Sequence, residues 1–282
     1  MRLSILILMI GLFLTLPVFA GSNNPQDRNN NETELSGKLI ITGSSTVAPL
    51  VSEIAKRFED QHSGVRIDVQ MGGSSRGVSD VREGISNIGM VSRSLKDNEK
   101  DLLAYPIALD GITIIVNKAN PVRELTDEQI INIYTGKITN WKEVGGNDTR
   151  ITVVNKAEGR ATLELFLDHF HLKNSDVKPH VIIGDNEQGV KTVAGNQNAI
   201  GYVSIGTAEY DSTIGIPIKL LPLDGISASI ENIRNGTFPI YRPLNLVTKT
   251  PPEGLTKAFI DYAGSKEVAD IIEGQYFVTF SK

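Results

Sequence analysis

Cysteine is absent from all 282 residues. That excludes a disulfide frame, a thiolate metal site and a cysteine nucleophile. Basic runs are absent too, and the net charge is −5, so no nucleic-acid surface is expected. An anion would have to be held by local donors and not by a global positive field. Histidine is scarce: four in the chain, three of them (His169, His171 and His180) bunched after one expected helix. His169 and His171 stand two apart, a spacing that a helix does not bring to one face, so no metal site and no cofactor are expected. No period of 20 to 50 residues repeats, which excludes a solenoid.

Long hydrophobic runs are confined to the start. Met1 to Ala20 carry Arg2, a mostly apolar run from Leu3 to Leu16 and then Pro17-Val18-Phe19-Ala20. That is the pattern of a secretory signal cleaved after Ala20, and the run is shorter than the roughly 18 residues of a spanning helix. Gly21 to Gly37 is rich in Asn, Ser, Glu and Asp and reads as a disordered leader (21–37). With no cysteine after the signal there is no lipid anchor to expect. A free exported bacterial protein, in a periplasm, fits. The remaining length suggests about two domains or lobes of ordinary globular composition, 40% hydrophobic and 22% charged.

What is present begins with Leu39-Ile40-Ile41, a short strand, followed by Gly43-Ser44-Ser45-Thr46. Val47, Leu50, Val51, Ile54, Ala55 and Phe58 then recur as the stripe of an amphipathic helix. Ser45 or Thr46 is expected at its N-cap and Pro49 in its first turn. Val65, Ile67, Val69 and Met71 alternate as a strand, then Gly72 to Gly77 turns into a helix near Val78. Asn87 to Arg93 is a short strand ending on Ser92 and Arg93, and Ile107 to Asn117 is an apolar strand expected to break at Asp110-Gly111. Thr126 and Gln129 have capping-box spacing for a helix to about Tyr134. Ile151 to Val154 is a strand, Asn155 to Thr162 a turn, and Leu163, Phe166, Leu167 and Phe170 a helical stripe. Further strands are expected at 181–183, 199–203, 218–221 and 244–248, with helices at 186–194, 227–234, 255–263 and 266–273. Strands alternate with helices throughout, so the class is α/β.

Three turns stand between a strand and a helix: Ser44-Ser45-Thr46, Ser74-Ser75-Arg76 and Lys156 to Thr162. In open α/β sheets ligands collect where helix N-termini meet the carboxyl ends of strands. Converging there, the turns would offer backbone N–H groups, hydroxyls and cations, a donor set for a tetrahedral oxyanion. A polyanion leaves water only where nearly every oxygen gains a partner, so many fixed donors are needed.

Gly43 to Leu50, Gly72 to Gly77, Ile88 to Arg93, Leu109 to Ile112, Thr135 to Trp141 and Ala199 to Val203 together resemble the periplasmic phosphate-binding proteins of Pst-type ABC importers. The resemblance runs from about Lys38 to the C-terminus. It implies a two-lobed, type II periplasmic-binding fold of class α/β, with the ligand cleft between the lobes. Residues 38–112 and 245–282 would form the first lobe and 113–244 the second. Inorganic phosphate would be captured in the cleft and delivered by a monomer to membrane permease subunits of an ABC importer, with no bond made or broken. Carried over by position, Ser45, Thr46, Val47, Ser74, Ser75, Ser92, Arg93, Asp110, Lys156, Arg160 and Thr162 are the candidate ligand-binding residues.

The third turn departs from the family pattern, which runs Arg, two residues, Gly-Ser-Gly-Thr. Here Lys156 stands for the arginine and Arg160-Ala161 for Ser-Gly. A lysine is a point charge where arginine offers a fork, so the geometry must differ. Asp110 or Glu158 would have to accept the proton of hydrogen phosphate. Two other readings remain open from the residues alone. One is a binding protein for another tetrahedral oxyanion. The other is a secreted serine hydrolase, because Gly73 to Gly77 fits G-x-S-x-G with Ser75 as nucleophile.

Overall fold

The computed structural model describes residues 35–280. The expected signal segment and nearly all of the expected leader lie outside the described residues. In chain order the elements are β1 (Ser36–Gly43), α1 (Ala48–Gln61), β2 (Gly64–Met71), α2 (Ser74–Arg82), β3 (Ile88–Val91), β4 (Leu103–Asn117), α3 (Asp127–Tyr134), β5 (Thr152–Lys156) and α4 (Ala161–His169). They continue as β6 (Val181–Ile183), α5 (Asn186–Gly195), β7 (Ala199–Ser204), α6 (Ile205–Thr213), β8 (Ile218–Leu220), α7 (Ile230–Arg234), β9 (Tyr241–Thr248), α8 (Gly254–Ala263), α9 (Ala269–Gly274) and β10 (Val278–Thr279). Among the described residues no helix is long and apolar enough to cross a membrane.

The strands follow the path β2-β1-β3-β9-β4-β7-β5-β6, with β8 and β10 both against β4. Two halves share β4. Residues 103–111 run antiparallel to β9, and residues 112–116 run antiparallel to β7. In the first half β1 lies parallel to both β2 and β3. In the second, β5 lies parallel to β6 and β7. Parallel strands need crossover helices, and these put apolar helix faces on the sheets.

Each half has its own core. Leu39, Ile41, Leu50, Ile54, Phe58, Met90, Ile107, Leu246 and Phe259 pack in one. Ile112, Ile114, Ile133, Trp141, Phe166, Ile200 and Tyr202 pack in the other. Ile115, Val154, Val190 and Val203 fill the opposite face of the second half, as strand alternation requires. The predicted stripe of α1 is wholly buried, and each of its large side chains stabilises the fold by about 1.5–3 kcal/mol.

Three expectations need correction. β4 is not broken at Asp110-Gly111: pairing with β9 continues through both, and the register slips instead between Pro106 and Ala108. Gly111 lets the strand pass, since a Cβ there would lie 2.6 Å from the Ile205 Cδ1. The first helix is capped neither by Ser45 nor by Thr46. It opens at Ala48, and Ser44 Oγ accepts the N–H groups of Thr46 and Val47 at 3.2 and 3.3 Å. Thirdly, α6 and β10 went unpredicted; α6 follows β7 directly, capped by Ser204, and its Gly-Thr-Ala-Glu run shows no clear stripe. The Thr126–Gln129 capping box is formed in both directions.

Gly43 ends β1 with φ of 134°, and a Cβ there would lie 2.3 Å from the Met90 carbonyl oxygen. Gly43→Ala is expected to destabilise the chain by about 3 kcal/mol or more, from strain plus a backbone clash. A urea unfolding midpoint equal to that of the parent chain would contradict this.

Candidate functional site

Three strand-to-helix turns do meet. Ser44, Ser45 and Thr46 lead into α1, Gly73 and Ser74 into α2, and Arg160, Ala161 and Thr162 into α4. With Ser92 beyond β3 and Lys156 at the end of β5 they wall a tight cavity of about 10 Å³. That is about the space one water-sized sphere takes, far short of what drug-sized ligands need.

The centre of the arrangement is Arg242 on β9, whose side chain is 0% exposed. Its Nε and Nη2 donate to Asp110 Oδ2 at 3.1 and 2.8 Å. Nη1 donates to Thr162 Oγ1 at 3.0 Å and to Ser92 at 3.3 Å, and Nη2 reaches Thr46 Oγ1 at 3.3 Å. Asp110 Oδ1 accepts from Ser204 Oγ at 2.9 Å and from the Gly206 N–H at 3.3 Å. One guanidinium therefore holds hydroxyls from the first turn, the β3 end and the third turn.

A second strut runs beside it. Asn186, first residue of α5, donates from Nδ2 to Thr46 Oγ1 at 3.0 Å, and its Oδ1 accepts from Lys156 Nζ at 2.9 Å. The Lys156 N–H donates to the Tyr202 hydroxyl at 3.4 Å, and Tyr202 stacks on Phe166 with ring centroids 3.9 Å apart. The lysine is thus placed by the core of the second half. Among the described residues no carboxylate forms an ion pair with Lys156 or Arg160. Burial first, then the Arg242 guanidinium, pushes the Lys156 ammonium down to about 7, with Asp185 opposing and Arg160 assisting. The Arg160 and Arg242 guanidinium groups and the Lys156 amine stand about the cavity against one buried carboxylate, Asp110, so the site carries surplus positive charge even where Lys156 is neutral.

Of the eleven candidate residues, Ser45, Thr46, Ser74, Ser92, Lys156, Arg160 and Thr162 share the cavity wall. The other four are placed elsewhere. Val47 packs its side chain in the core, and its N–H is taken by Ser44. Ser75 donates to Glu164 Oε1 at 3.4 Å and is not on the wall. Arg93 turns away: both its terminal nitrogens bind Glu99, at 2.6 and 2.9 Å, and its Nε faces Glu164 at 2.7 Å. Asp110 stands behind the wall with both oxygens engaged, so it has no lone pair to offer an anion's proton. Glu158, the other candidate acceptor, is exposed and accepts from Asn174.

Arg242 and Asn186 were missed. Arg242 had a sequence signal, the one charge in a run from Phe238 to Val247 that is apolar apart from Asn245. Asn186 follows Gly184-Asp185 like any helix start and has no such signal. Nothing around Ser75 supports a hydrolase. Among the described residues no histidine hydrogen-bonds it; His180 accepts from the Val153 N–H at 3.0 Å and His169 lies 3.8 Å from Asp127.

A family model for the PBP superfamily domain matches residues 29–267. The chain belongs to the PBP superfamily. Within it, the chain is 30% identical over 273 residues to the phosphate-binding protein PstS of Bacillus subtilis, covering 94% of this chain and 89% of that one. Among solved structures it is similar to a putative phosphate ABC transporter substrate-binding protein with bound phosphate from Clostridium perfringens. That match has 36% identity and a TM-score of 0.79, and it covers 87% of this chain and all of the other. An ABC-type phosphate transport receptor from Vibrio cholerae matches at 30% identity and a TM-score of 0.69, over 86% of this chain and all of that one. The fold is the two-lobed α/β periplasmic-binding fold, with the ligand cleft between lobes.

Lys156 makes ligand-free stability pH-dependent. Between about pH 7 and 10.5 the unfolded chain binds this proton and the folded chain does not, so the lysine's contribution to stability rises with pH across that window. Lys156→Met is expected to remove that rise. Unfolding midpoints of the two chains that run parallel from pH 7 to 10 would contradict it.

Proposed function

We propose that this protein binds inorganic phosphate between its two lobes and delivers it to the permease of an ABC importer. The observation that carries the reading is the cage itself, in which Arg242, fixed by Asp110, aligns hydroxyls from three separate segments on one small cavity with surplus positive charge. The names of the similar proteins support phosphate as the anion.

The site proposed is Ser45, Thr46, Ser74, Ser92, Lys156, Arg160 and Thr162, with Arg242 and Asn186 added. The Thr46, Ser92 and Thr162 hydroxyls now spend their lone pairs on Arg242 and Asn186, which leaves their protons to donate to an anion. Arg242 supplies charge within the same shell, and Lys156 supplies a second point charge. Hydrogen phosphate carries one proton, and with Asp110 and those hydroxyls engaged the Ser45 hydroxyl, which takes no hydrogen bond among the described residues, is the acceptor open to it. An anion beside Lys156 favours the charged ammonium, so binding takes up a proton above about pH 7.

The lobes proposed are 38–112 with 245–282, and 113–244. The separate cores support that division except at its edges, where Leu244 packs in the first core and Ile112 and Val278 in the second, and β4 and β9 are the segments that cross. Closure brings the first and second turns against the third. The anion stabilises the closed state by its extra contacts there, and release requires the permease to favour the open form. The protein acts as an exported, periplasmic monomer without a lipid anchor and catalyses no reaction. The Met1 to Ala20 pattern supports export.

Calorimetric titration of the chain from Gly21, refolded to strip carried-over ligand, is expected to show tight phosphate binding. Thr46→Val and Thr162→Val each cost about tenfold in affinity through one lost hydrogen bond to a charged group. Arg242→Lys costs about a hundredfold, because a lysine replaces the fork with a point. A folded chain that gives no heat with phosphate would overturn the function, and unchanged affinity in all three variants would overturn the site.

A further inference from the structure

We propose that Glu164 is an interlobe latch that holds the closed state and sets how slowly the anion leaves. The inference rests on the hinge-closure reading above. Glu164 lies in the first turn of α4, in the second lobe, with its side chain about one quarter exposed. Its Oε2 lies 2.7 Å from Arg93 Nε and 2.9 Å from Lys96 Nζ, and its Oε1 accepts from Ser75 Oγ at 3.4 Å. All three partners belong to the first lobe. Next to them the Ser75 N–H donates to the Gly159 carbonyl at 3.2 Å, so backbone joins the same seam.

None of these partners walls the anion cavity. The latch is therefore separate from the ligand contacts. Arg93 is buried and braced by both oxygens of Glu99, within its own lobe. Its guanidinium stays aimed at the seam when the lobes part, and only the Glu164 contact is broken. Lys96 is half exposed, and a groove of about 660 Å³ lined by Arg93, Lys96, Glu164 and Tyr241 runs along the seam. Solvent reaches the Lys96 end there, while Arg93 Nε and Glu164 Oε2 are themselves buried and meet as an ion pair without a hydrogen bond. Such a contact biases the lobes toward closure without locking them.

The test compares the parent chain with Glu164→Gln and Lys96→Ala, using stopped-flow phosphate kinetics and small-angle scattering with and without phosphate. Glu164→Gln is expected to raise the phosphate dissociation rate about tenfold while leaving association within about twofold. The ligand-free variant should scatter as a more open particle, and the phosphate-bound one like the parent. Lys96→Ala, which leaves the buried Arg93–Glu99 pair intact, should show the same changes to a smaller degree and serves if Glu164→Gln fails to fold. Parent-like dissociation and parent-like ligand-free scattering would overturn the latch, even if the melting temperature fell. If the parent chain bound no phosphate, the function proposed above would fall, and the ligand-free scattering would still decide the latch.

Discussion

Arg242 and Asp110 form an ion pair from which water is excluded. Removing two charges from water costs several kcal/mol per ion and is repaid only where geometry is good and every remaining donor and lone pair is met. Here that condition is satisfied. All five guanidinium N–H groups face oxygens, and Asp110 receives Ser204 and Gly206 on the oxygen that Arg242 leaves. The acceptors come from the first turn, the β3 end, the third turn and Asp110 on β4, to which Ser204 and Gly206 at the start of α6 donate. Satisfying one guanidinium therefore fixes four distant segments relative to each other. The pair costs free energy by itself, and its worth lies in the geometry that it imposes.

The same region leaves a second cation short of partners. Lys156 has Asn186 Oδ1 as its hydrogen-bond acceptor, and Arg160 stands on the same wall without an ion pair among the described residues. A small cavity with surplus positive charge and aligned hydroxyls is complementary to a compact anion and hostile to a cation. An anion relieves the repulsion among these groups, which in the hinge-closure reading proposed above gives it a differential affinity for the closed state without new apolar contact. In the lobe division proposed above, the Glu164 seam adds to this from outside the cavity, with opposite charges carried by opposite lobes.

The elements were legible where period and burial agreed. The α1 stripe and the Thr126 capping box each appear as read, because local pattern and tertiary environment ask for the same conformation; β2 forms as a strand too, but its apolar residues are not alternately buried and Met71 is 58% exposed. α6 was illegible, since of its buried residues Ile205, Gly206, Ala208 and Asp211 only Ile205 is a large apolar side chain, too few to make a stripe. The break expected at Asp110-Gly111 failed for a related reason. An aspartate and a glycine inside an apolar strand look like a turn, and only the presence of Arg242 and Ile205 across from them explains both.

By itself the sequence determined the class and the three hydroxyl-bearing turns, because strand-to-helix turns are built by short-range rules of capping and periodicity; the family resemblance supplied eleven candidate residues, seven of which lie on the cavity wall. It did not determine which side chains face the cavity. Ser75 stands beside Ser74, and Arg93 beside Ser92, yet one member of each pair faces the anion cavity and the other the Glu164 seam. Nor did it reveal Arg242, 80 residues beyond Thr162 and 132 beyond Asp110. Those assignments belong to tertiary structure. Buried charges take the partners that packing brings within reach, and sequence separation places no limit on which those are.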